Sequence, residues 1–162
     1  MEDLLAYQET IFLICLGFTL HYWDAQELAQ ETYLQAQQRL CQLRDPGAAK
    51  AWLCRLARNL CLDHLRKHKW QRLLGLEGTR ESSHDENPEV LFVTHEQVQR
   101  VKTAIERLPV RLREVLVLNA YGELTYAEIA KVVGIPMGTV MSRLSRARTA
   151  IRKEVGQGGS HE

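Results

Sequence analysis

An all-α chain of two small helical domains joined by a flexible linker is what this sequence predicts, and three observations predict it. Apolar residues recur at three- and four-residue spacing through most of the chain, and no segment alternates with period two. Asp45-Pro46, Asn87-Pro88 and Leu108-Pro109 each end one segment and set a proline at the start of the next, a helix-start signal. Residues 71–88 lose periodicity and fill with Gly, Ser and acids, the composition of a linker. The expected division is an N-terminal helical domain over 1–70, an acidic linker over 71–88, a four-helix C-terminal unit over 89–155 and a frayed tail over 156–162.

Taken in order, Met1 to Leu20 reads as one helix carrying Leu4, Leu5, Ile11, Leu13 and Phe18. Asp24 reads as the cap of a second helix, with Glu27 three residues on in the capping-box position. That helix continues to Leu43 and is expected to bury Leu28, Thr32 or Tyr33, Gln35 or Ala36, and Leu40. Asp45 and Pro46 start a third, running to about Trp70, with Ala49, Trp52 or Leu53, Leu56, Leu60 and Leu65 on its apolar side. A further helix follows Asn87-Pro88 to Arg107, another follows Pro109 until Gly122, and two short helices complete the chain.

The net charge of +1 conceals blocks of alternating sign. Residues 1–38 hold six acids and no Lys or Arg, residues 39–72 hold nine bases against two acids, and residues 73–99 hold six acids against one base. Residues 138–162 are basic again, with five bases and two acids. Two basic blocks separated by an acidic one suggest two separate contacts with a polyanion. Ile11 to Leu20 is apolar but far too short to span a bilayer and follows acids rather than bases, so core burial and a cytoplasmic protein are expected. Cys15, Cys41, Cys54 and Cys61 have no C-x-x-C spacing and read as reduced thiols.

Thr125 to Lys153 carries the sharpest signal. Thr125 and Glu128 are spaced as a capping box, Gly134 supplies a left-handed helix end, and Pro136 resets the chain. The second helix sets Val140, Leu144, Ala147 and Ile151 on one stripe and gives its other faces to Thr139, Met141, Ser142, Arg143, Ser145, Arg146, Arg148, Thr149 and Arg152. No acid occurs from Met137 to Arg152. A buried stripe backed by small polar and Arg side chains suits a helix lying in a DNA major groove, so a helix-turn-helix is expected here.

With both halves laid out, the sequence resembles bacterial sigma factors of the extracytoplasmic-function (ECF) group. The C-terminal matches are Leu108-Pro109, Arg113-Glu114-Val115-Leu116, Tyr126 to Ala130, Gly134-Ile135-Pro136, Gly138-Thr139-Val140, Ser142-Arg143-Leu144 and Arg146-Ala147-Arg148. The N-terminal ones are Asp24 to Glu31, Ala51-Trp52-Leu53, Ala57-Arg58-Asn59, Asp63 and Leu65-Arg66. The resemblance implies a factor that binds core RNA polymerase and reads the −35 and −10 promoter elements. It implies docking on the β′ clamp helices through Asp24, Glu27, Leu28, Gln30, Glu31, Tyr33 and Leu34. It implies capture of the opened −10 strand by Lys50, Trp52, Arg55, Asn59, Asp63, Arg66 and Lys67, which supply stacking surface, base-edge groups and cations. Trp52 stays open between stacking and core packing. At the −35 element the implied set is Thr139, Met141, Ser142, Arg143, Ser145, Arg146 and Arg148. Relatives often carry Lys or Arg where this chain has Met141, which can touch a thymine methyl but cannot donate to guanine. An anti-sigma partner is implied as well.

Rival readings have less behind them. Cys61, His64 and His68 share one side of a helix, but three ligands on one helix seldom converge, and Cys61 suits the apolar face, so no metal or other cofactor is expected. No Gly-rich phosphate loop, G-x-S-x-G or H-E-x-x-H occurs, which leaves an enzyme without a site. A simple repressor needs a dimer to read two half-sites and has no use for the Asp24–Glu31 motif. A sigma-like decoy that binds a regulator but not DNA has no use for the basic face.

Overall fold

The computed structural model describes residues 2–76 and 95–156. Most of the predicted linker, the Asn87-Pro88 helix start and the tail beyond Gly156 lie outside the described residues. The chain divides into two compact units, Met1–Pro88 and Glu89–Glu162. Every described element is helical.

In the first unit α1 spans Glu2–Leu5, α2 Gln8–Thr19, α3 Tyr22–Gln38 and α4 Ala49–Leu73. Helices α2, α3 and α4 pack on one another. Ile11, Ile14, Cys15, Phe18, Ala25, Leu53, Cys54, Ala57 and Cys61 form their fully buried core. Thr32 joins that core at no cost in unmet polarity, because its hydroxyl donates to the Leu28 carbonyl at 2.7 Å.

Four sequence expectations change here. Met1 to Leu20 is not one helix: a turn at Ala6 and Tyr7 divides it. The Leu4 carbonyl is occupied by the Tyr7 amide at 3.2 Å and the Tyr33 hydroxyl at 2.9 Å, which closes α1 early. Asp24 is not the cap of α3. Leu20, at φ 55, ends α2 in a left-handed turn, and the His21 ring accepts from the Asp24 amide at 3.3 Å, so α3 starts two residues sooner. Asp24 is thereby released to face inward. Helix α3 stops at Gln38, short of Leu43, and a 3-10 turn at Leu40–Gln42 leaves Leu40 exposed rather than buried. Pro46 opens a second 3-10 turn, capped by Asp45 at 2.9 Å from the Gly47 amide, and α4 follows from Ala49 to Leu73 instead of ending near Trp70. On α4, Leu53 takes the core position and Trp52 is half-buried, while Leu60 and Leu65 are only half-buried.

In the second unit α5 spans His95–Arg107, α6 Val110–Ala120, α7 Tyr126–Val133 and α8 Met137–Gly156. This is the expected four-helix unit. Helix α8 is its axis, in contact with α5, α6 and α7. The core is Ala104, Leu108, Val115, Val117, Leu118, Leu124, Ile129, Val132, Val140, Leu144 and Ala147. Between α5 and α6 the buried Arg113 guanidinium donates to the carbonyls of Glu106 at 2.8 Å and Leu108 at 3.5 Å, bracing the turn that Pro109 opens. Burial pulls that guanidinium below its ordinary value and the Glu106 carboxylate pulls it back. Helix α6 ends at Ala120, and a side chain at Gly122 would meet the Leu118 carbonyl at 2.5 Å, so only glycine closes that turn.

Tyr33 generates a pH-dependent prediction. Burial, with a lesser effect of Cys54, pushes its phenol up to about 12 from 10.0. A raised folded value means the neutral phenol is favoured by folding, so its contribution is complete below about pH 10 and is lost as pH rises toward about 12. Urea denaturation of the first unit should weaken across that window, and Tyr33→Phe should flatten the loss. At neutral pH the same variant should cost about 0.5–1.5 kcal/mol for the hydrogen bond to Leu4.

Candidate nucleic-acid interface

The interface is built from helix ends upward. Thr125 caps α7 by accepting from the Glu128 amide at 3.2 Å, and the Glu128 carboxylate accepts from the Thr125 amide at 3.2 Å, completing the box. Gly134, at φ 79, ends α7, and both Gly134 and Ile135 amides return to the Ala130 carbonyl at 2.8 and 3.1 Å. The Pro136 carbonyl then accepts from Thr139 and Val140 at 3.0 and 3.1 Å and launches α8. Two helices joined at a fixed turn, the second with one face inside, form a helix-turn-helix.

Burying Val140, Leu144 and Ala147 turns Met141, Ser142, Ser145, Arg146 and Thr149 outward. Met141 is 52% exposed, and Met137, beside it at the helix start, 50%. Not all predicted side chains share this open face. Thr139 is half-buried, and its carbonyl accepts from the Ser142 hydroxyl at 3.2 Å. Arg143 lies on the flank, its guanidinium 4.0 Å from the buried Glu114 carboxylate of α6. Arg148, on the other flank, donates to Asn119 Oδ1 at 2.9 Å. Arg146 is exposed at the middle of the α8 face, while Arg143 and Arg148 have partners on α6.

On α4 a second exposed stripe runs Arg55, Asn59, Asp63, Arg66 and Trp70, with Trp52 half-buried at its head. Asp63 and Arg66 pair at 3.3 Å, and Arg58 donates to Asn59 Oδ1 at 3.2 Å. Lys67 is exposed beside the stripe, whereas the half-buried Lys50, in the first turn, lies on the opposite side of the helix. Trp70, 64% exposed, escaped the sequence reading. Its spacing of four from Arg66 and seven from Asp63 was the available signal.

The predicted docking set on α3 divides in two. Glu27, Gln30, Glu31 and Leu34 are exposed along one face, and Tyr33 is half-buried beneath α1. Asp24 and Leu28, on the flank of that face, are buried. Trp23, 67% exposed, extends the open face by one turn and was also missed, although it is four residues before Glu27.

Asp24 meets α4 instead. Its Oδ2 is 3.4 Å from His64 Nε2 and 3.5 Å from His21 Nδ1. Among the described residues, Asp24, His64 and His68 are a group whose possible ligand atoms all lie within 4.8 Å of one another. Cys61 is not part of it. That thiol is in the core, pushed up by its hydrogen bond with Cys15 and by burial. No helix of the described residues is long and apolar enough to cross a membrane.

One helical unit thus carries a helix-turn-helix and the other a basic, aromatic-bearing helix, and each exposes side chains of the types that contact nucleic acid. Comparison with known proteins supplies the family. Residues 4–71 match the family model described as Sigma-70 region 2, and residues 98–151 match Sigma-70, region 4. The chain is 31% identical to the ECF RNA polymerase sigma factor SigW of Bacillus subtilis, over 92% of this chain and 84% of that one. It is 34% identical to the RNA polymerase sigma-H factor of Pseudomonas aeruginosa, over 92% and 82%. The fold is similar, with a TM-score of 0.79 at 23% identity, to the sigma factor RpoE of Bartonella quintana, solved in complex with the anti-sigma factor NepR, covering 96% and 95% of the two chains. The chain belongs to the ECF RNA polymerase sigma factors. It binds core RNA polymerase and promoter DNA and directs promoter-specific transcription initiation.

The capping box makes a prediction separable from DNA contact. Thr125→Ala should lower the stability of the second unit by about 1 kcal/mol in urea denaturation. Since Thr125 is on α7 and the open face is on α8, promoter affinity measured well below the unfolding transition should stay within twofold.

Proposed function

We propose that the two exposed faces divide the promoter between them: α8 reads the −35 element in the major groove, and α4 holds the separated −10 strand. The observation that carries this is the composition of the faces themselves. The α8 face combines Met141, Ser142, Ser145 and Arg146 with no acid, which suits base edges, thymine methyls and phosphate. The α4 face offers Trp52 and Trp70 for stacking, Asn59 and Asp63 for base edges, and Arg55, Arg66 and Lys67 for phosphate. Strand opening on such a surface needs no chemical step, because bases leaving the duplex stack are captured by binding alone. The chain is accordingly a binding factor and not an enzyme, and it works in the cytoplasm, where promoter DNA and polymerase are.

Within the −35 set, Arg146, Ser142, Ser145 and Met141 contact bases, while Thr139, Arg143 and Arg148 contact the backbone or fix α8 on α6. Docking on the β′ clamp helices uses Trp23, Glu27, Gln30, Glu31 and Leu34. Asp24, Leu28 and Tyr33 support that face from inside. An anti-sigma factor covers these surfaces when transcription is off. The similarity to a fold solved with such a partner supports this reading.

Run-off transcription with core polymerase from a panel of promoter fragments tests the whole assignment. Defined starts should appear only with both components present, and their absence across the panel would overturn it. Arg146→Ala should weaken −35 binding by about 1–3 kcal/mol, read as promoter affinity of the reconstituted holoenzyme. Leu34→Asp should reduce co-elution with core polymerase while circular dichroism stays unchanged, since Leu34 is 54% exposed. Leu28→Asp, by contrast, should unfold the first unit.

A further inference from the structure

We propose that Asp24, His64 and His68 form a binding site for a divalent transition metal ion of the zinc class, which fastens α3 to α4. None of the three is among the exposed side chains of the promoter and polymerase faces. Its donors are one carboxylate and two imidazoles, a set that suits zinc, cobalt or nickel rather than magnesium or calcium. Two ligands bound tetrahedrally at about 2.0–2.1 Å stand about 3.3–3.4 Å apart. Asp24 Oδ2 and His64 Nε2 already stand 3.4 Å apart. His64 and His68 are one helical turn apart on α4, with ring centroids 4.2 Å apart at 53°. All three ligand atoms lie within 4.8 Å, so a rotation of the half-buried His68 ring closes the set.

The surroundings suit a bound cation. The Asp24 side chain is 10% exposed and that of His64 21%, so two ligands are already shielded and need little ordering. His21 stands 3.5 Å from the same carboxylate oxygen, but its Nδ1 accepts the Asp24 amide as the helix cap. It therefore orients Asp24 and leaves the fourth metal position to water. Two neutral imidazoles and one carboxylate leave a zinc-class ion with one net positive charge. Ordinary ion pairing around Asp24 would also explain the 3.4 Å contact. Metal-dependent stabilisation that is lost in His68→Gln separates the two accounts.

Untagged full-length protein, stripped with chelator, should be titrated with Co2+ and then competed with Zn2+. One equivalent should bind, with visible absorption of nitrogen- and oxygen-ligated cobalt and no sulfur-to-cobalt charge transfer. His64→Gln and His68→Gln should each weaken binding at least tenfold, with helicity unchanged, and Cys41→Ser should leave it unchanged. Zn2+ should raise the unfolding midpoint of the parent and not of His68→Gln. Binding well below one equivalent, parent-like affinity in His68→Gln, or a sulfur charge-transfer band would each overturn the proposal. Polymerase binding is not the readout, so this result stands apart from the docking assignment.

Discussion

Helices α4 and α8 each have one apolar stripe, and burying that stripe fixes the rotation of the helix about its own axis. On α8 the stripe is Val140, Leu144 and Ala147, all at most 1% exposed. A slip of one residue would turn these about 100° toward water and carry Arg146 off the open face. On α4 the stripe is Leu53, Cys54, Ala57 and Cys61, all fully buried. Small residues there let α2 and α3 approach closely, and the opposite side of the cylinder is left to Arg55, Asn59, Asp63, Arg66 and Trp70. Where each polar side chain points is therefore decided by apolar packing.

Electrostatics works on that frame at short range. The basic blocks do not form a uniform cationic surface. Arg143 and Arg148 are each engaged by a partner on α6, Arg107 is held by Glu154 at 3.0 and 3.1 Å, and Arg66 is shared with Asp63. Exposed pairs of this kind contribute little to stability, roughly 0–1 kcal/mol, so they are readily exchanged for phosphate. Arg143 differs because Glu114 is buried. Its position is set by the protein before any DNA arrives.

The helical class, the two units, the Pro109 break and the Thr125–Gly134 cap and stop were legible in the sequence, since each depends on residues within one or two turns. The family resemblance was legible for the same reason, as its matches are short local strings. What escaped depends on contacts between distant residues. Tyr33 reaches 29 residues back to Leu4 and divides the first helix. The His21 cap displaces Asp24 inward, toward a histidine forty positions away that no local rule pairs with it. Leu28 reads equally as core or as docking residue by periodicity, and only the neighbouring helices decide. Trp23 and Trp70 both face outward, which no local rule settles, since large aromatics usually mark a core.

The separation of buried and open residues on α8 has a consequence for how such a factor diversifies. Met141, Ser142, Ser145 and Arg146 are exposed, and surface changes of this kind usually shift stability by less than about 0.5 kcal/mol. A duplicated copy could exchange them freely, keep its scaffold and acquire a new set of target genes. On the proposed reading the four side chains are a replaceable address on a fixed carrier, to whose core α8 contributes Val140, Leu144 and Ala147.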